Sequence, residues 1–427
     1  MITIKKPLSL RGDITVPGDK SISHRAVMMA SIAKGQSRLK NLLMGQDCHS
    51  TINAFKSTGI SIRAKEDIIV EGKGLRGLSS PIDVLYLGNS GTTMRLLSGI
   101  LSGQNFKTIL TGDSSLSQRP MDRIIRPLRL MGADISGKDN GNLAPLSIKG
   151  AGSLKSIDYK TQVASAQVKS AIMLAALYAD GKTTITEPCR SRDHTERMFN
   201  LFGVDVEQKG LSVSVKGLAD SELGPQDIDI PGDISSAAFF IALGVLSDDA
   251  QIRIDNCGLN PTRTGMIGAL KRMGANIEII SDGKGFEPTG SIIVKNSSLK
   301  AIKIKQEDVP LMIDEIPLIS LCATQAEGAT IIEGIAELRV KETDRVHAIK
   351  TNLKALGASV ETEGDSLIIK GPVKLKGVSV KSFDDHRIAM MSVIAGAISK
   401  GNTSVLNTDC IDVSFPGFMD TLSALSK

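Results

Sequence analysis

Tryptophan is absent from this chain, tyrosine occurs three times, and aromatic residues make up 3% of its 427 positions. Proteins that bind nucleic acid commonly stack bases on aromatic rings and crowd cations around them. With so few rings and a net charge of only +5, no nucleic-acid partner is expected. Cysteine is scarce too. Cys48, Cys189, Cys257, Cys322 and Cys410 stand alone, odd in number, with no Cys-x-x-Cys pair and no Cys/His metal spacing. Reduced thiols in a cytoplasmic protein without a metal site are therefore the expectation. No apolar run reaches the ~20 residues that span a bilayer, and stretches such as Ala171–Ala179 read as core helices. Met1-Ile2-Thr3-Ile4-Lys5-Lys6 lacks the apolar segment of a signal peptide.

What remains is an ordinary globular composition, 41% hydrophobic and 23% charged, long enough for two or three domains. Its main organising signal is repetition. An apolar segment, then a glycine, then a short strand recurs at Thr58-Gly59-Ile60, Met131-Gly132-Ala133, Phe202-Gly203-Val204, Met273-Gly274-Ala275 and Leu356-Gly357-Ala358. Each glycine reads as the residue just past a helix, where positive φ turns the chain back into a strand. The spacing predicts a sixth unit near the end of the chain. There only a helix is seen, so the opening strands around Ile2–Ser9 are expected to complete it. A second repeat, Pro17-Gly18-Asp19-Lys20-Ser21 and Pro231-Gly232-Asp233-Ile234-Ser235, marks two equivalent crossings. The expected organisation is one lobe over 14–232 and a second over 1–13 plus 233–427. A double hinge near Pro17–Lys20 and Pro231–Ser235 would join them. Each unit reads strand–helix–strand–helix–strand–strand.

Chemistry-bearing residues gather at the starts of predicted helices. In Glu337-Leu338-Arg339-Val340-Lys341-Glu342-Thr343-Asp344-Arg345-Val346-His347, apolar spacing predicts a helix from about Thr343, with Lys341 and Arg345 at its first turn. That end of the macrodipole is already positive, so cations there make sense beside a docked anion. A solvated helix start with Glu–Lys pairs is the plainer alternative. Asp384-Asp385-His386-Arg387 repeats the arrangement with Arg387. Lys20, Ser21 and Arg25 share the start of a helix at the first crossing, and His24 there reads as an ordinary helix residue. Gly88-Asn89-Ser90-Gly91-Thr92-Thr93-Met94-Arg95 is a glycine-rich turn into a helix over Met94–Leu101. It is neither a P-loop nor a dinucleotide fingerprint. Arg119 precedes Pro120. Ser165, Gln167 and Lys169 open another helix, and Lys169 joins the cations of that lobe. Arg192-Asp193-His194-Thr195-Glu196 reads as a salt-bridged helix start. Asp314 sits in the apolar passage Leu311-Met312-Ile313-Asp314-Glu315-Ile316, which suits a general base, although a helix cap explains Asp314 or Glu315 equally well. Clustered cations in both lobes point to small, strongly anionic ligands.

Pro-Gly-Asp-Lys-Ser, Leu-Gly-Asn-Ser-Gly-Thr, Arg-Pro, Ser-Ala-Gln, Val-Lys-Glu-Thr-Asp-Arg and Asp-His-Arg occur in this order between Leu8 and Leu422. In that order they resemble the 5-enolpyruvylshikimate-3-phosphate synthase family. The resemblance implies an α/β (α+β) fold, a two-lobed inverted α/β barrel with three βαβαββ units per lobe. It implies transfer of the enolpyruvyl group of phosphoenolpyruvate to the 5-hydroxyl of shikimate 3-phosphate, with release of phosphate. No cofactor is implied, and the partners are small molecules, with a monomer expected. By motif, Lys20, Ser21, Arg25, Ser165, Gln167, Ser191, Asp314 and Lys341 would hold shikimate 3-phosphate. Lys20, Gly91, Arg119, Gln167, Arg345 and Arg387 would hold phosphoenolpyruvate. Asp314 would take the hydroxyl proton, Glu342 would serve the methylene carbon, and Lys341 would assist.

The chain departs from one large subgroup of that family. Val413 stands where that subgroup has a Lys before Phe-Pro, and Leu96 where it usually has Pro. Gly-Asp-Lys, Ser-Ala-Gln-Val-Lys, Arg-Asp-His-Thr-Glu and Asn260-Pro261-Thr262-Arg263 resemble instead the class II subgroup, often associated with glyphosate tolerance. The sister transferases acting on UDP-N-acetylglucosamine usually carry a Cys shortly before Arg-Pro, and Gly112–Arg119 has none. A non-catalytic repeat scaffold would explain the repeats but not Asp314 and Glu342 among the cations.

Overall fold

A computed structural model describes residues 1–219, 221–283 and 285–426. The chain divides into a continuous unit, Gly18–Ile230, and a split unit, Met1–Pro17 with Pro231–Lys427. Strand Leu10–Thr15 pairs in parallel with Ala250–Gly258, so residues 14–17 lie with the split unit.

The continuous unit holds helices α1 (Lys20–Ile32), α2 (Gln46–Ser57), α3 (Gly91–Ser102), α4 (Asp122–Leu130), α5 (Ala166–Ala176) and α6 (His194–Leu201). The split unit holds α7 (Ile234–Leu246), α8 (Gly265–Arg272), α9 (Ile316–Ala323), α10 (Arg345–Ala355), α11 (His386–Ile398) and α12 (Phe418–Leu425). No helix among the described residues is long and apolar enough to cross a membrane.

Each unit contains three sheets of one plan. Leu85–Tyr86, α3, Lys107–Thr111, α4, Asp134–Lys138 and Leu143–Lys149 show it: the first strand is parallel to the second, which pairs antiparallel with the last. The unit Asp158–Lys216 and the unit Lys303–Gly371 repeat it. Ile2–Ile4 pairs antiparallel with Thr403–Leu406, so the opening strand completes the sixth repeat as the spacing predicts. That sheet has three strands where the other five of this plan have four.

The five glycine tags have a common physical cause. Gly59, Gly132, Gly203, Gly274 and Gly357 all take positive φ, between 78° and 98°. In each, the glycine N–H bonds back three residues and the next N–H bonds back five, as in Ala133 N to Leu128 O at 3.0 Å. This closure satisfies the last helical carbonyls, and a Cβ at the glycine would oppose it. Helix α7 is apolar on every face and buried over Ile234–Val245, so it fills the core of the split unit rather than bordering it. Phe240, Phe415 and Phe418 pack edge-on or tilted at its side, with centroids 5.4–5.9 Å apart.

Candidate active site

In the continuous unit, three helix starts carry the expected residues. Asp19 caps α1 by accepting from Ile22 N at 2.9 Å. This leaves Lys20 at the first position, where its Nζ meets Asp47 of α2 at 3.1 Å. Arg25, one turn on, is buried. Its Nε donates to Thr195 Oγ1 (2.7 Å), Nη2 to Ser170 Oγ (2.6 Å) and Nη1 to the Ser21 carbonyl (2.9 Å). Ser191, shortly before α6, is also buried, and its hydroxyl has no hydrogen-bond partner among the described residues.

Helix α3 begins at Gly91, three residues earlier than the sequence pattern suggests, because Ser90 caps it by accepting from Thr93 N. A Cβ on Gly91 would lie 3.0 Å from Arg95 Nη1 and 3.3 Å from Arg119 Nη1. The bare backbone thus lets two guanidinium groups approach one helix mouth, which is an anion-binding arrangement. Arg119 donates to the carbonyl and side chain of Asn89, and Arg95 donates to Gln167 Oε1 at 2.6 Å. Gln167 Nε2 in turn donates to Thr92 Oγ1 at 3.0 Å. Ser165 caps α5. The mouths of α3 and α5 are therefore joined through side chains.

Lys169 does not belong to this cationic group. Its ammonium is buried, 2.8 Å from both Glu187 and Glu196. Burial alone would lower its pKa, but Glu196 and Glu187 raise it overall, so its charge is spent inside the fold. The reading of 192–196 as a salt-bridged helix start holds, with Glu196 on Lys169 and Asp193 on Arg197 at 3.1 Å.

In the split unit, α10 begins at Arg345 rather than near Thr343, because Asp344 is its cap, accepting from His347 N at 3.0 Å. Lys341 consequently lies outside the helix, on the bend after the 3-10 turn Ala336–Val340. Arg345 is 1% exposed and bound by three carboxylates. Its Nε meets Asp385 (2.8 Å), Nη1 meets Asp314 (3.1 Å) and Nη2 meets Glu342 (2.7 Å). Burial opposes the charge, yet Asp385, Glu342 and Asp314 raise the Arg345 pKa overall. The apolar surroundings expected for Asp314 are thus replaced by guanidinium groups, since Arg387 also approaches it at 3.6 Å.

Side-chain exposure divides this cluster by task. Arg345 and Asp385 are 1% and 0% exposed, whereas Asp314 and Glu342 keep 14% and 26%. A buried guanidinium therefore aims two accessible carboxylates, which suits proton transfer at two points. Asp385 also accepts from Arg387 N at 2.8 Å, capping α11 and fixing the turn in which Phe383 and Asp384 take positive φ. The sequence reading did not single out Asp47, Arg95 or Asp385. Arg95 follows Gly91 by one helical turn and Asp385 is a capping residue type directly before a helix, so those two carried a usable signal.

The model of the EPSP synthase (3-phosphoshikimate 1-carboxyvinyltransferase) family matches residues 4–422. A protein of Thermodesulfovibrio yellowstonii named 3-phosphoshikimate 1-carboxyvinyltransferase is 52% identical over 99% of both chains. One of the same name from Bacillus pumilus is 50% identical over 99% of both. Among solved structures, EPSP synthase from Acinetobacter baumannii superposes with a TM-score of 0.88 at 42% identity, covering 99% of this chain and 98% of that one. The enolpyruvyl transferase NikO from Streptomyces tendae, at 18% identity and a TM-score of 0.77, shares the fold. With half its residues shared end to end and its repeats superposed, this chain belongs to the EPSP synthase family.

Proposed function

We propose that this chain transfers the enolpyruvyl group of phosphoenolpyruvate to the 5-hydroxyl of shikimate 3-phosphate, giving 5-enolpyruvylshikimate 3-phosphate and phosphate. The observation that carries this reading is the Arg345 clamp, which presents Asp314 and Glu342 together. Asp314 accepts the hydroxyl proton as the oxygen attacks C2 of phosphoenolpyruvate, and Lys341 assists beside it. Glu342 delivers a proton to the methylene carbon, which becomes a methyl group in a tetrahedral intermediate. Removal of a methyl proton by Glu342 then re-forms the double bond as the C–O bond to phosphate breaks. Addition and elimination use the same carboxylate in opposite protonation states.

Lys20, Ser21, Arg25, Ser165, Gln167, Ser191, Asp314 and Lys341 hold shikimate 3-phosphate. Lys20, Gly91, Arg119, Gln167, Arg345 and Arg387 hold phosphoenolpyruvate. The approach of Arg95 and Arg119 to Gly91, and a Ser191 hydroxyl with no hydrogen-bond partner among the described residues, support anionic and hydroxyl-bearing ligands at those places. The protein works as a cytoplasmic monomer on small molecules, in keeping with cysteines that form no disulfide among the described residues.

The test is phosphate release from phosphoenolpyruvate with each candidate acceptor. Shikimate 3-phosphate is expected to support turnover and UDP-N-acetylglucosamine is not. Release with the second acceptor alone would replace this reading by that of the sister transferases.

A further inference from the structure

Asn260-Pro261-Thr262-Arg263 has no part in the chemistry above, yet the split unit buries it in a charged network. Asn260 Oδ1 accepts from Thr262 N at 2.9 Å, and its Nδ2 donates to Glu287 at 2.8 Å, which fixes the turn carrying Arg263. Arg263, 2% exposed, reaches Asp233 at 3.1 Å and Ser235 Oγ at 2.8 Å, both at the start of α7. Ser235 Oγ bonds to Glu315 Oε1, and the same oxygen lies 3.5 Å from Arg387 Nη1. Glu315 is 2% exposed, and its Oε2 has no hydrogen-bond partner among the described residues.

The direction of this chain is fixed by chemistry. Arginine only donates, so Ser235 Oγ accepts from Arg263 and spends its single proton on Glu315. Glu315 is thereby an acceptor at Oε1, with acceptor capacity left over. A buried carboxylate in that condition draws any cation in reach, and Arg387 is one it touches. The proton from Ser235, strengthened by the charge of Arg263, answers part of that demand.

We propose that Ser235, polarised by Arg263, is a positioning residue that restrains Glu315 from competing with anionic phosphoenolpyruvate for Arg387. This rests on the assignment of Arg387 to phosphoenolpyruvate. Arg263 and Ser235 touch no substrate. They act on affinity through Glu315, and the signature is a change in KM for one substrate rather than in kcat.

The experiment measures both KM values and kcat for full-length Ser235→Ala, Glu315→Gln, the double variant and Arg387→Ala. Losing one charge-assisted hydrogen bond predicts that Ser235→Ala raises the phosphoenolpyruvate KM about tenfold. Its kcat and its shikimate 3-phosphate KM stay near the parent values. Glu315→Gln removes the competitor, so alone it leaves the phosphoenolpyruvate KM at or below the parent value. Added to Ser235→Ala it restores that KM, which a purely structural role for Ser235 would not produce. A phosphoenolpyruvate KM that rises in Glu315→Gln, or fails to recover in the double variant while Arg387→Ala raises it, overturns the proposal. An unchanged KM in Arg387→Ala overturns instead the assignment on which it rests.

Discussion

His24 is buried beneath the first turn of α1, and its Nδ1 lies 2.6 Å from Thr51 Oγ1. Thr51 continues to Thr93 at 2.7 Å and Thr93 to Ser90 at 2.7 Å, so a line of hydroxyls connects α1, α2 and the cap of α3. Burial pushes the imidazole from 6.5 down to about 3, with Asp47 and Asp19 opposing and Lys20 and Arg25 reinforcing. The folded pKa lies below the unfolded one, so the contribution to stability is complete above pH 6.5. It is lost as pH falls toward 3, because only the unfolded chain takes the proton. A single such group costs about 1.4 kcal/mol per pH unit in that window. His24→Gln is therefore expected to flatten the fall of the unfolding midpoint between about pH 6.5 and 5, and an equal fall in both proteins would contradict this. At the two carboxylates proposed for proton transfer, Glu342→Gln and Asp314→Asn are each expected to lower kcat by roughly 10²–10⁴ while both substrates still bind, as for a lost acid–base group. Near-normal turnover in either would remove that residue from its role. The carboxylates, Arg345 and Arg387 were legible as motifs. The clamp itself was not, because Asp385 and Asp314 stand 40 and 31 positions from Arg345, and only folding brings them there.

Helix ends were the most legible elements, since five identical closures depend on five glycines that no other residue replaces cheaply. Helix starts were read less accurately. Capping by Ser90 and Asp344 shifts α3 earlier and α10 later, and several neighbouring residues could have served as either cap. Helix α3 matters most here, because it carries Gly91 and Arg95 at its mouth and fully buried Leu96 just beyond. Gly99, further along, lets α5 approach so closely that a Cβ there would lie 2.2 Å from Ala171 O. The helix is thus held at its middle; its first turn is set by the Ser90 cap, and buried Leu96 lies in the next turn. Proline at 96 would fix φ and delete a backbone donor, changing how that turn settles. Glyphosate, a longer anion than phosphoenolpyruvate, is expected to be discriminated by such a shift in shape rather than by loss of cations. The expected result is a glyphosate inhibition constant at or above the phosphoenolpyruvate KM, lowered by Leu96→Pro. A constant far below that KM would refute it.

Across the whole molecule, one plan is used six times, three times in each unit, with the chain passing between units after Pro17 and after Ile230. We propose that these two crossings serve as the double hinge expected from the sequence. Cations gathered at helix starts repel one another when no anion is present and are bridged when one enters. Solution scattering is accordingly expected to show a radius that shrinks when shikimate 3-phosphate and an anionic mimic of phosphoenolpyruvate are added together. An unchanged radius at saturation would count against the hinge. The split unit has a further consequence for how the protein is made. Strand Ile2–Ile4 pairs with Thr403–Leu406, and Thr3 is made 401 positions ahead of Ser404. At ordinary elongation rates of ~5–20 residues per second, the strand waits roughly 20–80 s for its partner. Meanwhile the whole continuous unit emerges and has time to fold. A nascent chain stalled before residue 403 would carry a finished continuous unit and a strand, Ile2–Ile4, still lacking Thr403–Leu406.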